Sequence, residues 1–158
     1  MVTLCVRAGW PDGAINRIAA AGIKLAQPSR YYHTGLLLSD GWLYQSRLRQ
    51  GVHRTKWDCF VDPDWIMVAC PWADEDAALA YYHARAGNDY DLLGLLDWAV
   101  RRAVLTLTGE SVRPGIEDPR REICSEFNAG QLGFKEPIRY SPSALLRECQ
   151  RRTKEYYA

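Results

Sequence analysis

Cys124 is the residue of this sequence with the clearest potential for covalent chemistry. It begins an apolar run that ends among glycines, which predicts a short helix with the cysteine in its first turn. The unpaired N–H groups of a helix N-terminus carry partial positive charge, so they favour a thiolate over a thiol and could also hold an oxyanion. Buried free cysteines, however, also serve as small apolar residues. The segment alone therefore leaves open a nucleophile and a core residue.

A histidine far upstream, His33, could supply the base that such a nucleophile needs. It lies in the stretch 31–38, which is apolar and predicts a strand. An imidazole can accept the proton of a thiol, and the resulting ion pair stays nucleophilic near neutral pH. One ring nitrogen must face the sulfur, so the other needs an acceptor that fixes the tautomer. A half-buried histidine with a satisfied hydrogen bond is the purely structural alternative.

The rest of the chain predicts an α+β domain in which a mainly antiparallel sheet is packed by helices. Alternating or continuous apolar residues predict strands at 2–6, 31–38, 42–46, 51–56 and 65–70, of which the last is expected to be the best buried. The Asp40-Gly41 pair predicts a hairpin between two of them. Helical spacing predicts helices at 14–26, 74–86 and 92–107, at Cys124, and after Ser141. A loop is expected at 108–120 and a short extended piece near 138–140.

Two of these helices have explicit start signals. Asp74 can cap the helix at 74–86, where Glu75 and Asp76 suit the positive end of its dipole. Ser141 can cap the terminal helix, and Pro142 then occupies the first helical position, where a missing N–H costs nothing.

Composition indicates one ordinary globular domain over residues 1–158, with 47% hydrophobic and 25% charged residues. The net charge of +1 argues against a nucleic-acid partner. Five cysteines without paired spacing argue for a reducing compartment and against a disulfide scaffold. Charge comes too early for a signal peptide, and no apolar run reaches membrane-spanning length. We therefore expect a cytoplasmic protein without a transmembrane segment, although export by another route stays open.

The order of the motifs resembles the circularly permuted branch of the NlpC-type papain-like cysteine hydrolases, a branch shared with lecithin retinol acyltransferase and its relatives. The motifs are Tyr-x-His-x-Gly-Leu-Leu-Leu at 31–38, a strand with a polar residue, Tyr-Asp-x-x-Gly at 90–94, and Cys-Ser-Glu-Phe at 124–127. In that branch the histidine strand precedes the cysteine helix, the reverse of the order in papain. The resemblance covers most of the chain and implies a papain-like fold.

The resemblance also implies roles for individual residues. Cys124 matches the nucleophile, His33 the general base, and Gln45 the polar residue that orients the histidine; Tyr90 falls where the family has a tyrosine near the oxyanion site. Many relatives carry an acid or a second histidine at the position of Gln45, and a glutamine cannot stabilise an imidazolium by charge. A weakened triad, or orientation of the histidine by Glu126 or another group, therefore stays open.

The function implied by the resemblance is cleavage of an amide or peptide bond through a thioester at Cys124, without a cofactor. Peptidoglycan stem peptides are the first substrate class to consider. Acyl transfer or thioester hydrolysis on lipid acyl groups is an alternative, in which the apolar segment 92–107 could line an acyl groove. A catalytically silent binding domain on the same fold is another. No metal site is expected, because the chain lacks Cys-x-x-Cys and His-x-x-x-His spacing.

Overall fold

The protein is built around a five-stranded antiparallel sheet in this computed structural model. The structure describes residues 1–9, 11, 17, 20, 21, 29–57, 64–108, 121, 123–137 and 140–158; within 98–108, side chains are described at 100, 101 and 104. The strands are β1 (Thr3–Arg7), β2 (His33–Leu37), β3 (Trp42–Arg47), β4 (Gly51–Lys56) and β5 (Trp65–Ala69). Their order across the sheet is β4-β3-β2-β1-β5. The predicted α+β class and the antiparallel strand pairing are thus confirmed.

Four helices lie in the described part of the chain: α1 (Glu75–Arg85), α2 (Leu92–Thr108), α3 (Cys124–Gln131) and α4 (Pro142–Tyr156). Both predicted caps are present, since Asp74 accepts a hydrogen bond from Ala77 N at 3.1 Å and Ser141 accepts one from Ala144 N at 3.2 Å. Among these helices, none has the length and apolar character that a membrane crossing requires.

The core lies between one face of the sheet and the helices. Helix α3 packs on β2 and β3, while α4 packs on β1 and β5. Strand alternation gives that face its apolar side chains, which are buried together with those of the helices: Leu4, Val6, Leu36, Tyr44, Val52, Phe127, Leu145 and Cys149. The helix that begins at Cys124 is therefore seated directly against the strand that begins at His33.

The expectation that 65–70 is the best-buried strand is wrong. This segment forms β5 at an edge of the sheet, and Met67 is 48% exposed. An apolar run indicates a strand but does not reveal whether both of its neighbours are present. The predicted helix 14–26 and the loop 108–120 fall almost entirely outside the described residues. The extended piece expected near 138–140 does too, apart from Tyr140, which belongs to no strand.

A close backbone contact joins the β3–β4 hairpin to the loop before α2. Val52 N donates to Asn88 O at 2.8 Å, and Gly87 N donates to Val52 O at 3.0 Å. Gly51 has a φ of +63°, and a Cβ atom there would lie 2.0 Å from Asn88 O. Only glycine permits this approach, which holds the segment that leads into Tyr90.

Replacing Gly51 with alanine should therefore cost more stability than the same change at Gly87. Both residues have a left-handed φ, which costs a non-glycine residue about 1–2 kcal/mol. A Cβ on Gly87 meets nothing within 4 Å, whereas one on Gly51 collides with Asn88 O. We expect Gly51→Ala to lose a further ~1–3 kcal/mol in urea denaturation, the range typical of overpacking. Equal losses in the two variants would show that the hairpin and the loop are not in tight contact.

Candidate active site

His33, at the start of β2, is hydrogen-bonded to Gln45 on β3. The distance between His33 Nε2 and Gln45 Oε1 is 2.8 Å, and both residues are buried. Gln45 Nε2 in turn donates to Thr55 Oγ1 at 2.9 Å, which directs Oε1 towards the histidine. With this amide orientation Nε2 carries the ring proton, so the lone pair is on Nδ1. Nδ1 has no hydrogen-bond partner in the part of the chain that the structure describes.

This hydrogen bond is the contact expected of Gln45, although its catalytic role stays a prediction. Because Gln45 already accepts the hydrogen bond from His33 Nε2, the alternative residue, Glu126, is not needed to fix the tautomer of the imidazole. Glu126 itself is half-buried on α3 rather than fully buried. Thr55, which holds the amide of Gln45 in place, was not predicted. A threonine in a strand is common, and the sequence around Thr55 does not show that it faces Gln45.

An aromatic residue packs against His33. Strand β1 lies between β2 and β5, and its register pairs Arg7 with His33 on one side and with Trp65 on the other. The rings of His33 and Trp65 meet edge to face with centroids 5.9 Å apart, and Arg7 lies over Trp65 at 5.7 Å. Trp65 was not anticipated either, because only the strand order brings β5 to the histidine. It shields the imidazole from water.

Burial keeps the imidazole neutral. Burial is the largest cause and, together with the positive charges of Arg47 and Arg7, lowers the pKa of His33 to about 3. The hydrogen bond to Gln45 acts in the opposite direction but is outweighed. At neutral pH the ring is therefore uncharged, and Nδ1 is available to accept a proton.

Cys124 is the first residue of α3 and is only 2% exposed. Burial raises the pKa of its thiol, while the backbone and hydroxyl of Thr34 and the N–H groups of Ser125 and Cys124 lower it. The helix N-terminus thus acts on the sulfur as the sequence predicts, but burial has the larger effect. Thr34 Oγ1 is buried and makes no hydrogen bond within normal distance among the described residues, so its hydroxyl acts on the thiol as a nearby dipole.

The thiolate–imidazolium pair expected from the sequence stays a prediction. No hydrogen bond joins Cys124 to His33 in the described part of the chain, and the pKa shifts of both residues favour their neutral forms. The physical reason is desolvation, which penalises a charge on either group more than the available dipoles stabilise it. Burial thus favours a neutral thiol at Cys124 and a neutral imidazole at His33, and the residue that acts directly on the thiol is Thr34, the neighbour of His33 on β2.

Tyr90 borders the surroundings of both the cysteine and the histidine. It borders a crevice of about 10 Å³ beside Cys124, and it also borders a cavity of about 360 Å³ beside His33. Burial of its hydroxyl, together with the charges of Cys124 and Asp91, raises the pKa of Tyr90 well above the ordinary value. The phenol is thus a hydrogen-bond donor next to the sulfur. The crevice holds one water molecule at most, and the larger space beside these residues is the cavity that His33 lines.

No three His, Cys, Asp or Glu residues converge on a possible metal position in the described part of the chain. Two side chains that could serve as ligands are engaged otherwise. His53 Nδ1 donates to Gly51 O at 2.9 Å, and the Cys70 thiol donates to Val68 O at 3.5 Å.

Comparisons with known proteins do not assign this chain to a family. The chain matches no protein-family model, and none of the curated proteins matches it in sequence. The family resemblance therefore rests on the motifs and their order.

The low pKa of His33 should make the protein less stable in acid. Between pH 6.5, the ordinary histidine value, and about 3, the unfolded chain carries a proton on His33 that the folded chain does not. Stability must therefore fall as the pH falls through this window, with a slope of up to about 1.4 kcal/mol per pH unit.

Urea denaturation of the wild type and of His33→Gln between pH 7 and 4 isolates this effect. The pKa of His53 is also lowered by burial, so the difference between the two proteins is the quantity to measure. His83→Gln, a change at an exposed histidine, is the matched control and should keep the wild-type slope. Parallel curves for wild type and His33→Gln would mean that His33 titrates normally in the folded protein.

Proposed function

We propose that this protein is a cysteine hydrolase with a papain-like fold that cleaves an amide or peptide bond through a thioester at Cys124. The observation that carries the proposal is the buried hydrogen bond between His33 and Gln45, which leaves Nδ1 as a free base. The same base borders a cavity whose wall includes Tyr90, and Tyr90 also borders the crevice beside the cysteine. The order of the motifs supports the same reaction.

The proposed reaction begins with both groups neutral. As Cys124 Sγ attacks the substrate carbonyl, its proton passes to His33 Nδ1, and Gln45 Oε1 keeps the proton on Nε2. The negative oxygen of the tetrahedral intermediate accepts hydrogen bonds from the Cys124 N–H and the Tyr90 hydroxyl. The imidazolium then protonates the leaving amine, which leaves a thioester. Water, deprotonated by the same imidazole, hydrolyses the thioester and restores the thiol.

The neutral resting state has a consequence for this mechanism. In a buried site, charge separation between sulfur and imidazole is costly unless the developing oxyanion is stabilised at the same time. Reaction is thus favoured only when a substrate places its carbonyl between the Cys124 N–H and Tyr90. Because the crevice is small, Tyr90 must also shift as the substrate enters.

Loss of the sulfur should abolish turnover. Amide and peptide substrates, with peptidoglycan stem peptides first, would be screened by mass spectrometry for cleavage and for an acyl adduct on Cys124. Cys124→Ala should remove both signals, and His33→Ala should slow cleavage by roughly 10²–10⁴-fold, the usual contribution of a general base. Cys149→Ala changes a buried cysteine that lies on α4 and serves as the control, which should keep activity. Cleavage that persists in Cys124→Ala would overturn the mechanism.

A charged orienter should change the basicity of His33. In Gln45→Glu the new carboxylate replaces an acceptor 2.8 Å from Nε2, and an adjacent opposite charge raises a histidine pKa by about 1–3 units. NMR titration of the ring protons of His33 measures this rise directly, and the pH profile of cleavage should shift with it. Thr55→Val, which removes only the anchor of the amide, should leave the pKa much closer to that of the wild type. An unchanged pKa in Gln45→Glu would mean that residue 45 does not control the imidazole.

A catalytically silent binding domain is the second candidate. The observation that favours it is the closed state of the site, in which Cys124 is 2% exposed, has a raised pKa and lacks a hydrogen bond to His33. Limited alkylation by iodoacetamide at pH 5–8, read by mass spectrometry, separates the two candidates. In the proposed enzyme Tyr90 shifts to admit substrate, so Cys124 should be reached, and labelled with the help of His33, faster than Cys5 or Cys149, whose burial has no such opening. Labelling of Cys124 at the rate of the other buried thiols, together with no turnover, would favour the binding domain.

A further inference from the structure

The cavity beside His33 is strongly cationic. It has a volume of about 360 Å³, and three arginines, Arg7, Arg47 and Arg49, contribute to its wall. Gln50, Tyr32 and Tyr90 add further polar groups, and no carboxylate is present among its described lining residues. Such a concentration of guanidinium groups around an uncharged imidazole is not needed to bind a neutral peptide.

Two of these arginines come from the turn that joins β3 to β4. Gln50 N donates to Arg47 O at 3.1 Å, which closes the turn, and Arg49 has a φ of +73°. This left-handed position favours glycine and costs a branched or long side chain about 1–2 kcal/mol. Arg49 is nevertheless an arginine, and it lines the cavity from this position. Backbone strain of this kind concentrates at ligand-binding sites.

The charges of the turn are not neutralised within the described part of the chain. Neither Arg47 nor Arg49 has an ion-pair partner there. Arg47 nevertheless acts on the site, because its charge lowers the pKa of His33. Arg7 lies deeper, over the ring of Trp65 and paired with His33 in the sheet, and it adds to the same positive field.

We propose that this cavity binds an anionic group of the substrate, a carboxylate or a phosphate, on the guanidinium groups of Arg47 and Arg49. Guanidinium groups suit both anions, because their paired N–H donors match two oxygens at once. Gln50 can donate a further hydrogen bond from its side-chain amide. This inference rests on the proposed function and deepens it, since it defines the substrate as an acyl compound with a negative charge close to the bond that is cleaved.

Binding of an anion also changes the base. It offsets the positive charges that disfavour protonation of His33, so the imidazole becomes easier to protonate when a substrate is present. The site would thus become reactive only when an anionic substrate fills it. A neutral analogue of the same size lacks this effect, even if it fits the cavity.

The test measures binding without turnover, in the Cys124→Ala variant, so that it does not depend on the proposed chemistry. N-Acetylglutamate and N-acetylglutamine form a matched pair of probes that differ in charge but hardly in shape, and inorganic phosphate represents the second anion. NMR of the ring nitrogens and protons of His33 reports on binding at the cavity. Arg47→Gln and Arg49→Gln remove one charge each, and Arg147→Gln, a change at an exposed arginine on α4, is the control.

We expect an anionic probe to shift the His33 signals and raise the pKa of the imidazole, and the neutral probe to bind about tenfold more weakly or not at all, given the usual strength of charge-assisted hydrogen bonds. Arg49→Gln and Arg47→Gln should each weaken anion binding about tenfold, whereas Arg147→Gln should not. The better of N-acetylglutamate and phosphate identifies the anion. Equal binding of the charged and neutral probes, no binding of either anion, or insensitivity to both arginine changes overturns the inference. None of these outcomes affects the loss of turnover expected for Cys124→Ala, which tests the reaction itself.

Discussion

The side chain of Asn128 ties the helix that begins at Cys124 to the strand that carries Gln45. Its amide nitrogen donates to Tyr44 O at 3.2 Å and lies 2.9 Å from Gln131 Oε1, and Gln131 in turn donates to Ala78 O at 3.2 Å. These groups are buried, so a seating of the helix that broke these three bonds would leave amide donors without partners at a cost of about 1–3 kcal/mol each. The network therefore selects one position of α3 on the sheet. The placement of the cysteine beside Thr34 follows from that position.

Two opposing effects set the charge state of the site. The helix N-terminus and Thr34 favour a thiolate at Cys124, and Gln45 favours a protonated imidazole at His33. All of these groups are uncharged, so they stabilise the two charges only through their dipoles. Burial acts against both charges and is stronger. A carboxylate in place of Gln45 would act as a full charge and alter this balance. The glutamine thus orients the ring while leaving it a weak base.

Much of the fold could be predicted from the sequence because its signals are local. Alternation identified the strands, Asp40-Gly41 identified the hairpin, and Asp74 and Ser141 capped the helices that they precede. The hydrogen bond of His33 to Gln45 came from the family resemblance rather than from spacing. Local patterns did not reveal sheet order, and so they did not show that β5 is an edge strand or that Trp65 covers the histidine.

The protonation state of Cys124 was harder to predict for a related reason. Its position in the first turn of a helix is a local property and was identified correctly. Its burial, by contrast, depends on segments far away in the chain, including Tyr90 and Leu95, which border the same crevice. A pKa reflects the sum of such surroundings, so a sequence indicates which dipoles act on a thiol but not how much water remains near it.

The contact between Gly51 and Asn88 links the positions of two segments that are distant in sequence. The turn with Arg47 and Arg49 is on one side of this contact, and the segment leading to Tyr90 is on the other. An insertion that lengthened the turn to admit a bulkier ligand would also displace the phenol beside the sulfur. The shape of the cavity and the position of Tyr90 therefore cannot change independently in descendants of this chain, unless the backbone contact is rebuilt as well.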